Sequence, residues 1–181
     1  SDDPVSIDPE LAVDHHPFGV DDDEPGSSPV PIALHQHRPL AIAALAVGCI
    51  QACLDMSVEY AGDRQTFGGP IGRKQGVAFQ VADLETMLHA SRLLTYRAAW
   101  LKDSGAPMKD FKQAASVAKL YSTESAVTDT RIATPVFGGY GFMDEYPVAR
   151  FYRDAKVLEI GEGTSEVQRM LIARGLGLPV E

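Results

Sequence analysis

From Arg38 onward, apolar residues recur at three- and four-residue steps, and the stretches are separated by joints rich in glycine and proline. At 3.6 residues per turn such spacing lines one face of a helix, so each unbroken stretch predicts an amphipathic helix. Pro39 suits a first helical turn, and Leu40, Ala43, Ala44, Val47, Ile50, Leu54 and Val58 carry the stripe to Tyr60. After Gly68-Gly69-Pro70 and Gly72, a second stripe comprises Val77, Val81, Leu84, Leu88, Leu94 and Ala98, and it ends at Gly105-Ala106-Pro107. Asp110 is the expected cap of a third helix, in which Ala114, Val117, Ala118, Tyr121, Ala126 and Val127 keep the period until Pro135. Gly138-Gly139-Tyr140-Gly141 reads as a flexible turn. A further periodic segment follows Tyr146-Pro147-Val148 and reaches Ile160, where Gly161 and Gly163 break it. A last helix runs from about Thr164 through Val167, Leu171 and Ile172 to Gly175, with Thr164 or Ser165 as N-cap. No run of alternating strand residues intervenes. The pattern predicts an all-α chain, an up-and-down four-helix bundle with short connections.

Residues 1–33 differ in kind. Pro4, Pro9, Pro17, Pro25, Pro29 and Pro31 accompany the acidic run Asp21-Asp22-Asp23-Glu24, a composition that supports neither a long helix nor much burial. The expected division is an extended acidic arm or linker over residues 1–33 and a helical domain over residues 34–181.

Composition narrows the function. The formal charge is −9 over 181 residues, which disfavours binding through phosphate neutralisation, so nucleic acid is not an expected partner. Cys49 and Cys53 stand four apart in an apolar stretch and read as reduced core residues. The apolar stretch over residues 40–54 reads as too short and too amphipathic for a membrane span, and no signal-type segment precedes it; a cytoplasmic protein is expected. His15, His16, His35 and His37 lack carboxylate or cysteine partners at ligand spacing, so no metal site is expected.

The loops carry the discriminating residues. Arg64-Gln65-Thr66-Phe67-Gly68, with Ile71 and Gln75, lies between the first two helices. Phe137-Gly138-Gly139-Tyr140-Gly141-Phe142 follows the third, then Glu145-Tyr146-Pro147 and Arg153-Asp154-Ala155. The last is Ile160-Gly161-Glu162-Gly163-Thr164-Ser165-Glu166-Val167-Gln168-Arg169. In this order and spacing the segments resemble the C-terminal helical domain of the acyl-CoA dehydrogenase family, over about residues 38 to 178.

That resemblance implies a flavoprotein oxidoreductase of fatty acyl-CoA metabolism. A carboxylate removes the proton next to the thioester carbonyl, a hydride leaves the adjacent carbon for the flavin, and an enoyl-CoA forms. Glu162 matches the family's base, between glycines that admit close approach to a ligand. The alternative position for the base, just before Arg38, holds His37. Arg64 and Thr66 match residues that contact FAD of a neighbouring subunit, with Phe67 and Gln75 on the same surface. Gly138 and Gly139 match a turn near the adenosine half of FAD. Thr164 and Glu166 match further cofactor-proximal positions that also suit a helix start, and Arg38 and Gly163 match positions near the substrate. Gly161 stands where several straight-chain relatives carry tyrosine, which implies room for branched or bulky acyl groups.

The chain departs from the family at Pro135, where glutamine is usual, and at His35-Gln36-His37. The family also has an N-terminal helical domain and a middle β-domain, for which residues 1–33 are too few. The resemblance therefore implies the catalytic and oligomerising portion of a larger enzyme, or a subunit completed by another chain. It implies an acyl-CoA substrate, a homo-oligomer and electron-transfer flavoprotein as electron acceptor. The alternative is a helical interaction module that binds no FAD by itself.

Overall fold

Proline at position 39 and glycine at the later joints do divide the chain as the pattern predicts. In the computed structural model, which describes residues 37–180, the helices are α1 (Arg38–Asp63), α2 (Gln75–Asp103), α3 (Met108–Val136), α4 (Val148–Ile160) and α5 (Ser165–Gly175). The arm predicted over residues 1–33 lies outside the described residues, as do His15, His16 and His35. A two-residue antiparallel ladder, Gln65–Thr66 against Gly69–Pro70, closes the link between α1 and α2. Short 3-10 turns span Ile71–Arg73 and Gly138–Phe142.

The architecture is the predicted all-α bundle, with α1, α2 and α3 running up and down and the shorter α4 and α5 packed on α3. Helix α3 is the axis of the domain, since it packs against each of the other four. Its interior residues are accordingly small: Ala114, Ala115, Ala118, Ala126 and Ala133 are all buried. Small side chains let neighbouring backbones approach on more than one side. The threonines that interrupt this surface satisfy their hydroxyls locally, Thr123 and Thr130 each donating to the carbonyl four residues earlier at 2.9 Å. Ile50, Leu84 and Leu88 from α1 and α2 meet Phe137 and Val148 in the main core. Phe111, Ala43 and Ala98 form a second core at the other end.

Several boundaries differ from the sequence expectation. Pro107, not Asp110, caps α3, and Asp110 lies in the first turn, where its charge complements the helix dipole. Helix α3 passes through Pro135 to Val136; in the last turn a proline removes only one helical hydrogen bond. The glycine-rich segment after it forms a 3-10 turn over Gly138–Phe142. Gly141 there is buried, and a β-carbon would lie 2.1 Å from the Thr134 carbonyl oxygen. Helix α1 is longer than the apolar stretch over residues 40–54. By length and composition it is able to cross a membrane, although Ala43, Ala46, Ile50, Cys53 and Leu54 bury one face against the bundle.

Candidate active site

Two groups of predicted site residues lie at opposite ends of α1. At 1.5 Å per residue, the 26 residues of this helix separate Arg38 from Arg64 by about 39 Å.

At the N-terminal end, Arg38 Nη1 donates to both carboxylate oxygens of Glu162, at 3.2 and 3.3 Å. The Glu162 side chain is 35% exposed. Gly161 ends α4 in an extended conformation that any residue adopts, so it does not require glycine. Glu162 itself has φ +54°, in the left-handed region that a non-glycine residue enters at a cost. Gly163 follows at φ +93°, a conformation that strains any side chain and favours glycine, and a β-carbon there would lie 2.8 Å from Gln168 Nε2. Thr164 then caps α5, its hydroxyl accepting from Val167 N at 3.4 Å. Glu166 sits in the first turn, where its own backbone N–H and the Thr164 hydroxyl hold its carboxyl below the usual range. Both residues thus do the work of a helix start beside Glu162.

Two buried side chains beneath this turn bond to its backbone. Lys119, fully buried on α3, donates to Glu159 O at 3.0 Å and Gly163 O at 2.7 Å. Gln168, 1% exposed on α5, donates to Glu162 O at 3.2 Å and Gly163 O at 3.3 Å. Lys119 gave no sequence signal, because a lysine within an alanine- and serine-rich helix reads as a solvated position until α4 and α5 cover it. Burial pulls its ammonium below the usual lysine range, and the nearby Glu159, Glu124 and Glu166 oppose that shift.

At the other end, the loop after α1 and the 3-10 turn after α3 meet although some seventy positions separate them in sequence. Arg64, Thr66, Phe67, Gly138 and Gly139 line one mainly apolar cavity of about 710 Å³, with Pro135 in its wall. Gln75 does not line it; Lys74 does. The Arg64 guanidinium lies 5.9 Å from the Tyr140 ring centroid and forms no ion pair among the described residues. Tyr140 belongs to an aromatic cluster with Tyr60, Phe137 and Tyr146 that stiffens this end. Phe67 stands at the tip of the hairpin, 94% exposed and with φ +49°.

Elsewhere, Asp129 is wholly buried on α3 without a hydrogen-bond partner among the described residues. Burial, assisted by the neighbouring Cys49, pushes its carboxyl up to about 8. Cys49 and Cys53 are free thiols, and the Cys49 contact and burial push Cys53 up. Among the described residues no three His, Cys, Asp or Glu side chains converge as metal ligands.

Comparison with known proteins gives this geometry its context. The family profile described as "Acyl-CoA dehydrogenase, C-terminal domain" matches residues 31–177. A probable acyl-CoA dehydrogenase of Bacillus subtilis is 47% identical over 76% of this chain and 35% of its own length. The short-chain specific acyl-CoA dehydrogenase of Bos taurus mitochondria is 45% identical over 74% of this chain and 32% of its own. The structure of butyryl-CoA dehydrogenase from Megasphaera elsdenii superposes with a TM-score of 0.77 at 39% identity, over 81% of this chain and 37% of that one. The chain thus spans about a third of the length of the relatives it matches. On the profile match and the shared bundle, the chain belongs to the acyl-CoA dehydrogenase family and carries its C-terminal helical domain.

Proposed function

We propose that this chain supplies the catalytic base and the oligomerising face of an FAD-dependent acyl-CoA dehydrogenase. One observation carries the reading: among the described residues, the non-glycine positions at positive φ are Phe67 and Glu162. Each costs on the order of 1–3 kcal/mol, and such strain concentrates at functional sites. They occupy two of the loops whose motifs mark the family, the first and the last.

Glu162 takes the proton from the carbon next to the thioester carbonyl, and that proton ends on its carboxyl group. Arg38 orients the carboxylate, and its match to the family's substrate-proximal arginine supports a further role for it beside the thioester and CoA portion. FAD, when bound, supplies the acceptor for the hydride that leaves the adjacent carbon. The chain's residues fit that cofactor: Arg64, which forms no ion pair among the described residues, offers a fork of donors to a pyrophosphate, and the apolar wall with Gly138 and Gly139 admits close backbone approach. Because Arg64 and Arg38, the partner of Glu162, stand about 39 Å apart along α1, Arg64 and Glu162 serve different sites, which favours a homo-oligomer in which the Arg64 end reaches a neighbouring copy's cofactor. Thr164 and Glu166 serve the site of their own chain.

The acyl group proposed is branched or bulky, since Gly161 leaves the position beside Glu162 without a side chain. Turnover confined to short linear acyl-CoAs overturns that assignment. Electron-transfer flavoprotein is the proposed electron acceptor, and the cytoplasm the proposed compartment.

The test assembles the chain with a polypeptide carrying the family's remaining domains, and reads flavin absorption and its bleaching by acyl-CoA. A yellow protein bleached by acyl-CoA, but not as Glu162→Gln, is expected. Colourless protein that gains no flavin from any such partner sinks the reading in favour of a non-catalytic helical module.

A further inference from the structure

Burying an ammonium ion costs several kcal/mol unless its protons are taken up by well-placed acceptors, and an apolar side chain of similar volume packs at less expense. Lys119 is fully exposed to that cost, since none of its surface reaches solvent. It makes no ion pair among the described residues; its bonds go to two backbone carbonyls, those of Glu159 and Gly163. Glu159 O belongs to the last turn of α4, where carbonyls lack helical partners and the dipole favours a cation. Gly163 O lies beyond the turn. Lys119 therefore ties the end of α4 to the residue after Glu162.

Gln168 approaches the same turn from α5. Its amide nitrogen donates to Glu162 O and Gly163 O, so the Gly163 carbonyl receives one bond from each of the two buried side chains. Gly163 stands at φ +93°, where any side chain is strained, and its missing β-carbon would lie 2.8 Å from that same Gln168 amide. Left-handed backbone at a glutamate persists only where its surroundings over-determine it. Here three carbonyls, at Glu159, Glu162 and Gly163, are held from below while the Glu162 side chain points away to Arg38.

We propose that Lys119 is a positioning residue for the reaction, which with Gln168 clamps the strained turn so that the Glu162 carboxylate meets its substrate proton in a fixed place. The proposal rests on Glu162 being the base. It explains why a buried cation occupies a position that a methionine would fill, and it assigns Lys119 a consequence for rate rather than for substrate affinity.

The test uses the flavin-loaded assembled enzyme, with Lys119→Met, Lys119→Arg, Gln168→Leu and Glu162→Gln. For Lys119→Met the limiting rate of flavin reduction per bound flavin should fall about 10- to 100-fold, since sub-ångström misplacement of a catalytic group has effects of that order. The half-saturating acyl-CoA concentration should stay within about twofold. Amides of residues 161–164 should exchange with deuterium faster than in the parent, and Lys119→Arg, which keeps a cationic donor, should recover part of the rate. Gln168→Leu removes the opposite arm of the clamp and should show the same split, so it decides the matter if Lys119→Met fails to fold. A role in folding alone lowers yield and Tm but leaves the rate per bound flavin and the exchange of residues 161–164 at parental values; that result overturns the proposal while loss of activity in Glu162→Gln keeps the base assignment. Retained reduction in Glu162→Gln overturns the base and the clamp together.

Discussion

Arg38, the first residue of α1, is bonded to both carboxylate oxygens of Glu162, 124 positions later in the chain. The pair joins the start of the bundle to the turn before its last helix. Because both side chains are about one-third exposed, water screens the pair, and its worth to folding is about 0–1 kcal/mol. Arg38→Gln should therefore change the urea midpoint little, while lowering the rate of acyl-CoA-dependent flavin reduction in the assembled enzyme. A large loss of stability with normal reduction would reverse these assignments.

Glycine relieves the left-handed strain at position 162. Glu162→Gly should raise the unfolding free energy by about 1 kcal/mol, offset in part by loss of the Arg38 pair, and abolish flavin reduction. Urea titration of the variant beside Glu162→Gln, which keeps the strain, separates backbone relief from loss of the charge.

Gly141→Ala places a β-carbon against the Thr134 carbonyl, where no side chain is available to move aside. A loss of more than about 2 kcal/mol is expected, from overpacking against backbone. The same substitution at Gly161, whose β-carbon would meet only the Val157 carbonyl at 3.4 Å, should cost less than about 1 kcal/mol. Thermal denaturation of both variants checks the contrast.

Asp129 gives the fold a pH dependence. Its carboxyl, pushed up to about 8 by burial and then by Cys49, keeps its proton in the folded chain at pH values where the unfolded chain has released it. The folded state then binds more protons, so this group's contribution is fully present below the unfolded carboxyl range and is lost as pH rises toward 8. The steepest slope for one proton is about 1.4 kcal/mol per pH unit. Urea unfolding at pH 5, 6 and 7 should show a decline of that sign in the parent. Asp129→Asn should flatten it; an equal slope in the variant would assign the dependence elsewhere.

Arg64→Ala is expected to leave stability within about 0.5 kcal/mol, as for an exposed residue without an ion pair among those described. The same variant should lose FAD on gel filtration of the assembled enzyme. Retention of a full complement of flavin would remove Arg64 from the cofactor site.

What the sequence determined by itself was the helices and the chemistry-bearing loops. Helical periodicity is local, so the stripes of α1 and α2 are legible: Ile50, Leu54, Leu84, Leu88 and Ala98 are buried as their spacing predicts. The loop motifs are short strings whose order alone marks the family. Helix α3 is less legible, because a stripe assumes one buried face. Val117 and Val127 are only half-buried there, whereas Lys119, Ser122 and Asp129 are fully buried.

Tertiary structure decided everything that depends on which helices meet. Only packing puts the Arg64 loop beside Gly138 and Gly139 and sets that cavity at the opposite end of α1 from Arg38, the partner of Glu162. Only the covering of α3 by α4 and α5 turns a lysine that would otherwise be solvated into a buried donor beneath the Glu162 turn. A lysine's burial is set by neighbours distant in sequence, and no pattern within its own helix encodes them.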